Sequence, residues 1–298
     1  MGVKVRKQNR ATDQSYIDQN GKVLGYPDSQ KLLTIDSVGM VRELISTEDY
    51  PSERGGNTLK TDRMEWVQSK LKEEGVSYKV IGENAGREVY PPVTAVSFSS
   101  DPAKPAICYL VPIHQTEVHE SGGFSIADHS SSAVMGISLV SQLKQTEQEL
   151  NVIVCFVSAN YPHKAFHELQ SLIDSGQLDV RISSITELQP FTGPDFSLKT
   201  TNELDSEVFT ALTKRTGLKI KTDKISYKLT SEFTATVPKT AIGSIKKATH
   251  HDDSGNKEES LKDEQIEFVS TRAFKAMSRM LWQQSVMLSN FYADRYDR

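Results

Sequence analysis

The sequence predicts an α/β protein with a mixed, mostly parallel central sheet flanked by helices on both faces. Three observations carry this. Ala106 to Ile113 and Val152 to Val157 are continuous apolar runs, the pattern of strands buried on both faces of a parallel sheet. Between them, residues 132–150 hold Val134, Ile137, Leu139, Val140 and Leu143 at helical spacing, so strand, helix and strand form a crossover unit. The alternation of helical and strand patterns then continues toward the end of the chain.

Residues 1–30 are polar and without period, with turn-like Asn20-Gly21 and Gly25-Tyr26-Pro27, and read as an N-terminal arm, extended or mobile, ahead of a domain over 31–298. Ser37 is placed to cap a helix bearing Val38, Val41, Leu44 and Ile45. From Thr61 to Glu74, Met64, Val67 and Leu71 form a stripe with Trp66 beside it, and Gly75 supplies the left-handed residue that ends the helix. VSYKVIG and AVSFS follow as strands, then the two Cys-containing runs with their helix. His163 to Ser175 reads as a helix, VRISSITEL as a weaker strand, Glu203 to Thr213 as a short helix and Glu264 to Phe291 as one long helix.

Composition narrows the function classes. The 298 residues are 37% hydrophobic and 25% charged, as in a soluble domain, and a chain of this size builds a core without disulfide or metal. A net charge of -4 offers no global attraction to nucleic acid or an anionic membrane. No apolar run approaches the roughly 20 residues needed to cross a bilayer. MGVKVRKQNR has the charge that opens a signal peptide, but polar ATDQSYIDQNGK follows where an apolar stretch belongs, so the expected location is cytoplasmic. Cys108 and Cys155, each inside a strand-like run, fit buried thiols in a reducing compartment. Lys214 to Lys247 carries nine basic and two acidic residues and Asp252 to Glu267 seven acidic and two basic, two blocks able to steer a partner, pair with each other or simply face water.

The segment richest in reactive groups is IHQTEVHESGGFSIADHSSS, where His114, Glu117, His119, Glu120, Asp128 and His129 fall between a buried strand and a helix. In an open α/β sheet this is the carboxyl end of a strand, where ligands bind. Imidazole with carboxylate suits zinc or a similar divalent ion. Each residue also has a plainer reading: His114 as a hydrogen-bonded loop histidine, Asp128 as a helix cap, His250-His251-Asp252-Asp253 as a solvated loop.

From about residue 34 to 292 the succession of motifs resembles the M28 family of zinc aminopeptidases. STEDYPSERGG is similar to that family's opening Arg-x-Gly segment and EWVQSKLKEEG to its first amphipathic helix. VPIHQTE is similar to the strand ending in His-Tyr-Asp-Ser, IADHSSSAVMGISLVSQL to the Asp-Asn-Ala-Ser-Gly helix start, and VIVCFVSANY to the strand ending in Ala-Glu-Glu. SEFTA, AIGS and THHDDSGNKEESLKDEQI resemble the Ser-Asp-His-x-x-Phe, Gly-Ile-Pro and Tyr-His-Thr segments. The resemblance implies a phosphorylase/hydrolase-like α/β fold with two metal ions, a bridging Asp and a Glu that takes a proton from metal-bound water.

Carried over by position, the resemblance puts His114 at the first His ligand, Asp128 at the bridging Asp and His250 or His251 at the last His. Asn160-Tyr161 or, slipped by one, Ala159-Asn160 stands at the general-base pair, and an Asn amide cannot pass a proton near neutral pH. The third carboxylate ligand falls near Ser183 to Thr186, with Glu187 the one acid close by, and Thr249 or His250 stands where an oxyanion-stabilising Tyr belongs. The resulting expectation is a peptidase-like protein without catalytic residues, acting as a structural or interaction subunit. Its cofactor is none or one weakly held zinc ion at His114, Asp128 and His250 or His251, and its partner is a protein or a second copy of itself. The alternative is a zinc-dependent aminopeptidase or related amide hydrolase with a rearranged ligand set drawn from Glu117, His119 or Glu120.

Overall fold

A computed structural model describes residues 35–46, 61–81, 93–98, 101, 103–113, 129–146, 150–157, 169, 173–176, 181–201, 203–224, 239–244 and 266–296. In chain order the elements are α1 (Ser37–Ser46), α2 (Thr61–Glu73), β1 (Lys79–Ile81), β2 (Val93–Phe98), β3 (Ala106–Pro112), α3 (Ser130–Leu143), β4 (Asn151–Val157), β5 (Ile182–Leu188), β6 (Phe196–Thr200), α4 (Glu203–Thr216), β7 (Ile220–Lys224), β8 (Lys239–Ser244) and α5 (Arg272–Tyr296). The strands make one eight-stranded sheet in the order β1-β2-β4-β3-β5-β8-β6-β7. β4, β3, β5 and β8 run parallel to one another, β2 and β6 run against their neighbours β4 and β8, and β7 is parallel to β6. The expected mixed, mostly parallel α/β sheet is therefore present, and its centre is the crossover β3–α3–β4, with Cys108 opposite Ile153 and Leu110 opposite Cys155.

Both faces of the central strands are covered. On one, Tyr109, Val111, Val154 and Phe156 meet apolar residues of all five helices. On the other, Cys108, Leu110, Ile153, Cys155 and Ile185 meet Leu169 and Ile173, both in helical turns of the His163–Ser175 segment. Both cysteines are free and buried, and the Cys108 thiol is held well above its ordinary value by Cys155 beside it and by burial, which makes it unreactive.

The sheet and α3 approach each other closely because Gly136 has no side chain: a Cβ there would sit 2.8 Å from the Phe156 ring and 2.9 Å from Val111. α5 is fastened by polar anchors. Tyr109 donates its hydroxyl to Gln284 Oε1 at 3.0 Å, Gln284 donates to Thr186 at 3.2 Å, the Leu150 amide donates to Ser289 at 2.7 Å and the Trp282 indole donates to Thr146 at 3.0 Å. These bonds satisfy groups whose burial without partners would cost about 1–3 kcal/mol each.

Several local expectations need correction. The cap of α1 is Asp36, whose carboxylate accepts the Gly39 amide at 3.0 Å, and Ser37 is already inside the helix. α2 ends as expected, at Gly75 with φ 63°. α3 stops at Leu143, short of the expected 150, because Leu150 already leads into β4. The long terminal helix is interrupted: residues 266–269 are helical, the chain turns at Ser270-Thr271, and Thr271 then accepts the Phe274 amide at 3.2 Å as the cap of α5. A side-chain oxygen that competes for backbone amides stops one helix and starts the next. The N-terminal arm, residues 1–30, lies outside the described residues.

Candidate functional site

Because β3, β4, β5 and β8 are parallel, their carboxyl ends lie together, and α3, which follows β3 in the chain, begins at the same end. This is where ligands bind in open α/β sheets. The candidates expected there, His114, Asp128, Asn160, His250 and His251, with Glu117, His119 and Glu120, all lie outside the described residues. Their anchors are described: His114 directly follows Ile113, Asp128 directly precedes His129, and Asn160 follows the end of β4 at Val157.

The anchors are firmly held. Ile113 extends the ladder beyond β3 by donating its amide to Val157 at 2.9 Å. The cap residue of α3 is His129, fully buried, with its Nδ1 3.3 Å from the Ser132 hydroxyl. Ser131 accepts the Phe191 amide at 2.9 Å, tying the head of α3 to the chain leaving β5. That chain is laced to the end of β8: Gln189 donates to Ile242 at 2.8 Å, Ser244 donates its amide to Pro190 at 3.0 Å, and the Ser244 hydroxyl accepts the amides of Thr192 and Gly193 at 2.9 Å.

Among the described residues one acid stands buried at this end. Glu187, in the last turn of pleat of β5, is 1% exposed, and burial pushes its carboxyl from an ordinary 4.5 up to about 8, against the opposing pull of the Gln189 amide at 2.9 Å and the Lys199 charge. Strand register explains its surroundings. Lys79, Ala95, Cys155, Leu110, Glu187, Ala241 and Lys199 form one row across the sheet, so Glu187 sits between Leu110 and Ala241, with Lys199 one strand further on. Protonated at neutral pH, it is an oxygen ligand only if a cation displaces its proton. Among the described residues no group of three or more His, Cys, Asp or Glu is placed to hold a metal ion.

Two features of this end were not read from the sequence as functional. Arg63, on α2, is 3% exposed and donates Nη1 to the Ile113 carbonyl at 3.0 Å. A signal existed: Arg63 lies four residues before Val67 and eight before Leu71, on the helix's own apolar stripe. The second is a cleft of about 440 Å³ at the outer edge of the same end, where Asp195, Lys219 and Lys221 surround the start of β6 and β7. Neither strand was expected from the sequence.

No family model matches the sequence, and no curated protein matches it. Solved structures do match in fold. The LapA aminopeptidase of Legionella pneumophila is 11% identical, with a TM-score of 0.58 over 88% of this chain and 73% of that one. The glutaminyl cyclase of an Acidobacteriales bacterium is 12% identical, with a TM-score of 0.59 over 92% of this chain and 99% of that one. A Zn-dependent exopeptidase from Parabacteroides distasonis is 10% identical, with a TM-score of 0.56 over 88% and 99%. At such identities the likeness is one of fold, and the chain has the α/β scaffold on which these exopeptidase, aminopeptidase and glutaminyl cyclase structures are built.

Proposed function

We propose that this chain is a non-catalytic protein on an aminopeptidase-like scaffold, working as a structural or interaction subunit with a protein partner or a second copy of itself. One observation carries the reading: after β4, where the resembled family places its carboxylate pair, the chain reads Ser158-Ala159-Asn160-Tyr161, with no acid to take a proton from water. A fold that hosts both exopeptidases and glutaminyl cyclases does not by itself supply a reaction. The reading keeps His114, Asp128 and His250 or His251 as the remnant of a metal site, with zinc absent or weak, assigns residues 1–30 to an arm outside the 31–298 domain, and places the protein in the cytoplasm.

A second reading is supported by Glu187. A buried acid at the carboxyl end of β5, beside the strand that leads to His114, is the oxygen donor a rearranged zinc site needs, with Glu117, His119 or Glu120 completing it. The metal would lower the pKa of a bound water and polarise an amide carbonyl. Elemental analysis of the purified chain, with release of amino acids from unblocked peptides as activity, separates the two readings. The non-catalytic reading expects less than one zinc per chain and no release with added metal. Stoichiometric zinc with hydrolysis that fails in Glu187→Gln establishes the second. Deletion of residues 1–30 with native mass measurement of the assembly tests the arm as a contact.

A further inference from the structure

We propose that the outer edge of β7 is a docking site for an extended, acidic segment of a protein partner, which joins the sheet as an added strand beyond β7. Among the described residues β7 ends the sheet, with β6 on one side and no strand on the other. Which of its main-chain groups face outward follows from one bond. The Phe196 amide donates to the Lys219 carbonyl at 3.4 Å, and Phe196 stands opposite Ile220. In a parallel pair alternate residues turn toward the neighbouring strand, so Lys219 and Lys221 serve β6 while the amides and carbonyls of Ile220 and Thr222 point away from it. An edge of this kind takes a strand through main-chain bonds, and side chains decide which strand is accepted.

Charge selects the occupant. KIKTDK, which is β7 with the residue ahead of it, holds three lysines against one aspartate, and it lies in the block from Lys214 to Lys247 with nine basic and two acidic residues. Lys219 and Lys221 are exposed, as is Lys199 on β6. Pairing with β7 of a second copy would set lysines beside lysines, which is destabilising, whereas a strand with acids at alternate positions meets them favourably. The cleft of about 440 Å³ at the head of β7 adds a second element of recognition, because Phe196, Leu218 and Ile220 give it an apolar lining. Asp195 also lines it and repels an acid. The incoming chain therefore places an apolar residue in the cleft and its acids further along β7. This surface gives the interaction-subunit reading, on which it rests, a place and a partner chemistry.

The probe is a short dye-labelled peptide of alternating glutamate and valine with a leucine at one end, and its binding to the full chain is followed by fluorescence anisotropy. Binding is expected for this peptide, falling as salt rises, and not for the same peptide with lysine in place of glutamate or with N-methylated amides. Thr222→Pro removes an amide that faces outward and leaves the β6–β7 ladder intact, so it is expected to weaken binding about 10-fold or more while the urea midpoint stays near that of the wild type. Lys219→Glu combined with Lys221→Glu is expected to reject the acidic peptide and admit the lysine one. No binding of the acidic peptide to the wild type overturns the proposal, and so does binding that Thr222→Pro leaves unchanged, since charge alone then holds the peptide. If Thr222→Pro fails to fold, the N-methylated peptide decides, and binding equal to its parent overturns the added strand. Asp252→Asn, Asp253→Asn, Glu258→Gln and Glu259→Gln together test the chain's own acidic block: binding that emerges only in that variant makes the block the occupant and overturns the partner. The interaction-subunit reading fails separately, through stoichiometric zinc with peptide hydrolysis, neither of which depends on β7.

Discussion

Strands β3 and β4 are buried on both faces along their whole length, whereas β6 buries Phe196, Leu198 and Thr200 and leaves Lys199 exposed, and β7 beside it exposes Lys221. The two regions belong to one sheet but face different surroundings. At the centre, helices press on one face and Leu169 and Ile173 on the other, so every side chain must be apolar or bonded. At the β7 edge the helices among the described residues lie on one face, and charged residues occupy the other, including lysines of the kind that discourage pairing of an edge strand with another chain. Glu187 stands at the border, an acid still inside the covered zone with a lysine of the open zone pulling on it. The difference teaches where the molecule tolerates change and where it does not.

The comparison is broken most directly in the centre. Phe156→Ala removes a fully buried ring packed beneath α3 and is expected to cost about 3–5 kcal/mol, read from urea unfolding midpoints. Glu187→Gln sharpens the border. Folding raises the Glu187 pKa, so the native state holds a proton that the unfolded chain releases, and the residue costs stability progressively from about 4.5 up to about 8. The Gln variant is therefore expected to match the wild type near pH 4 and to exceed it by about 4–5 kcal/mol at pH 9. Thermal unfolding across that range that shows no flattening of the pH profile counts against the buried acid. Gly136→Ala forces a methyl into Phe156 and Val111, and a loss of about 1–2 kcal/mol is expected in calorimetry. At the open edge Lys199→Ala is expected to change stability by no more than about 0.5 kcal/mol. A larger loss there means the outer face is covered in the working protein.

The same contrast decides what could be read from the sequence. β3, β4 and the helix between them stand out because burial on both faces writes continuous apolar runs such as AICYLV and VIVCFV. FSLKT, IKTDK and KTAIGS form β6, β7 and β8, yet with one open face or a small, polar composition they carry no such run, and they were not expected as strands. The break at Ser270-Thr271 is invisible to periodicity, since the apolar residues on both sides keep their spacing while a hydroxyl rearranges the amides. Around the site, Glu187 was noticed only as the nearest acid. Its neighbours across the sheet, Leu110 and Ala241, are far away in sequence and are brought beside it by strand order. Arg63 was legible by position on its helix, but its acceptor, a backbone carbonyl, leaves no mark in a sequence.

The anchors of α5 carry a consequence for how the protein is made. The last of the described elements supplies the partners of groups in much earlier ones, with Tyr109 bonded to Leu281 and Gln284 across separations of 172 and 175 residues. On the ribosome, the central strands emerge long before Gln284, Ser289 and Trp282 are synthesised. Until then the hydroxyls of Tyr109 and Thr186, and the apolar face around them, wait without their cover. A nascent chain in this condition exposes sticky surface for the time needed to translate the remainder, at roughly 5–20 residues per second. Shortening the chain within α5 thus strikes the oldest part of the fold rather than the newest.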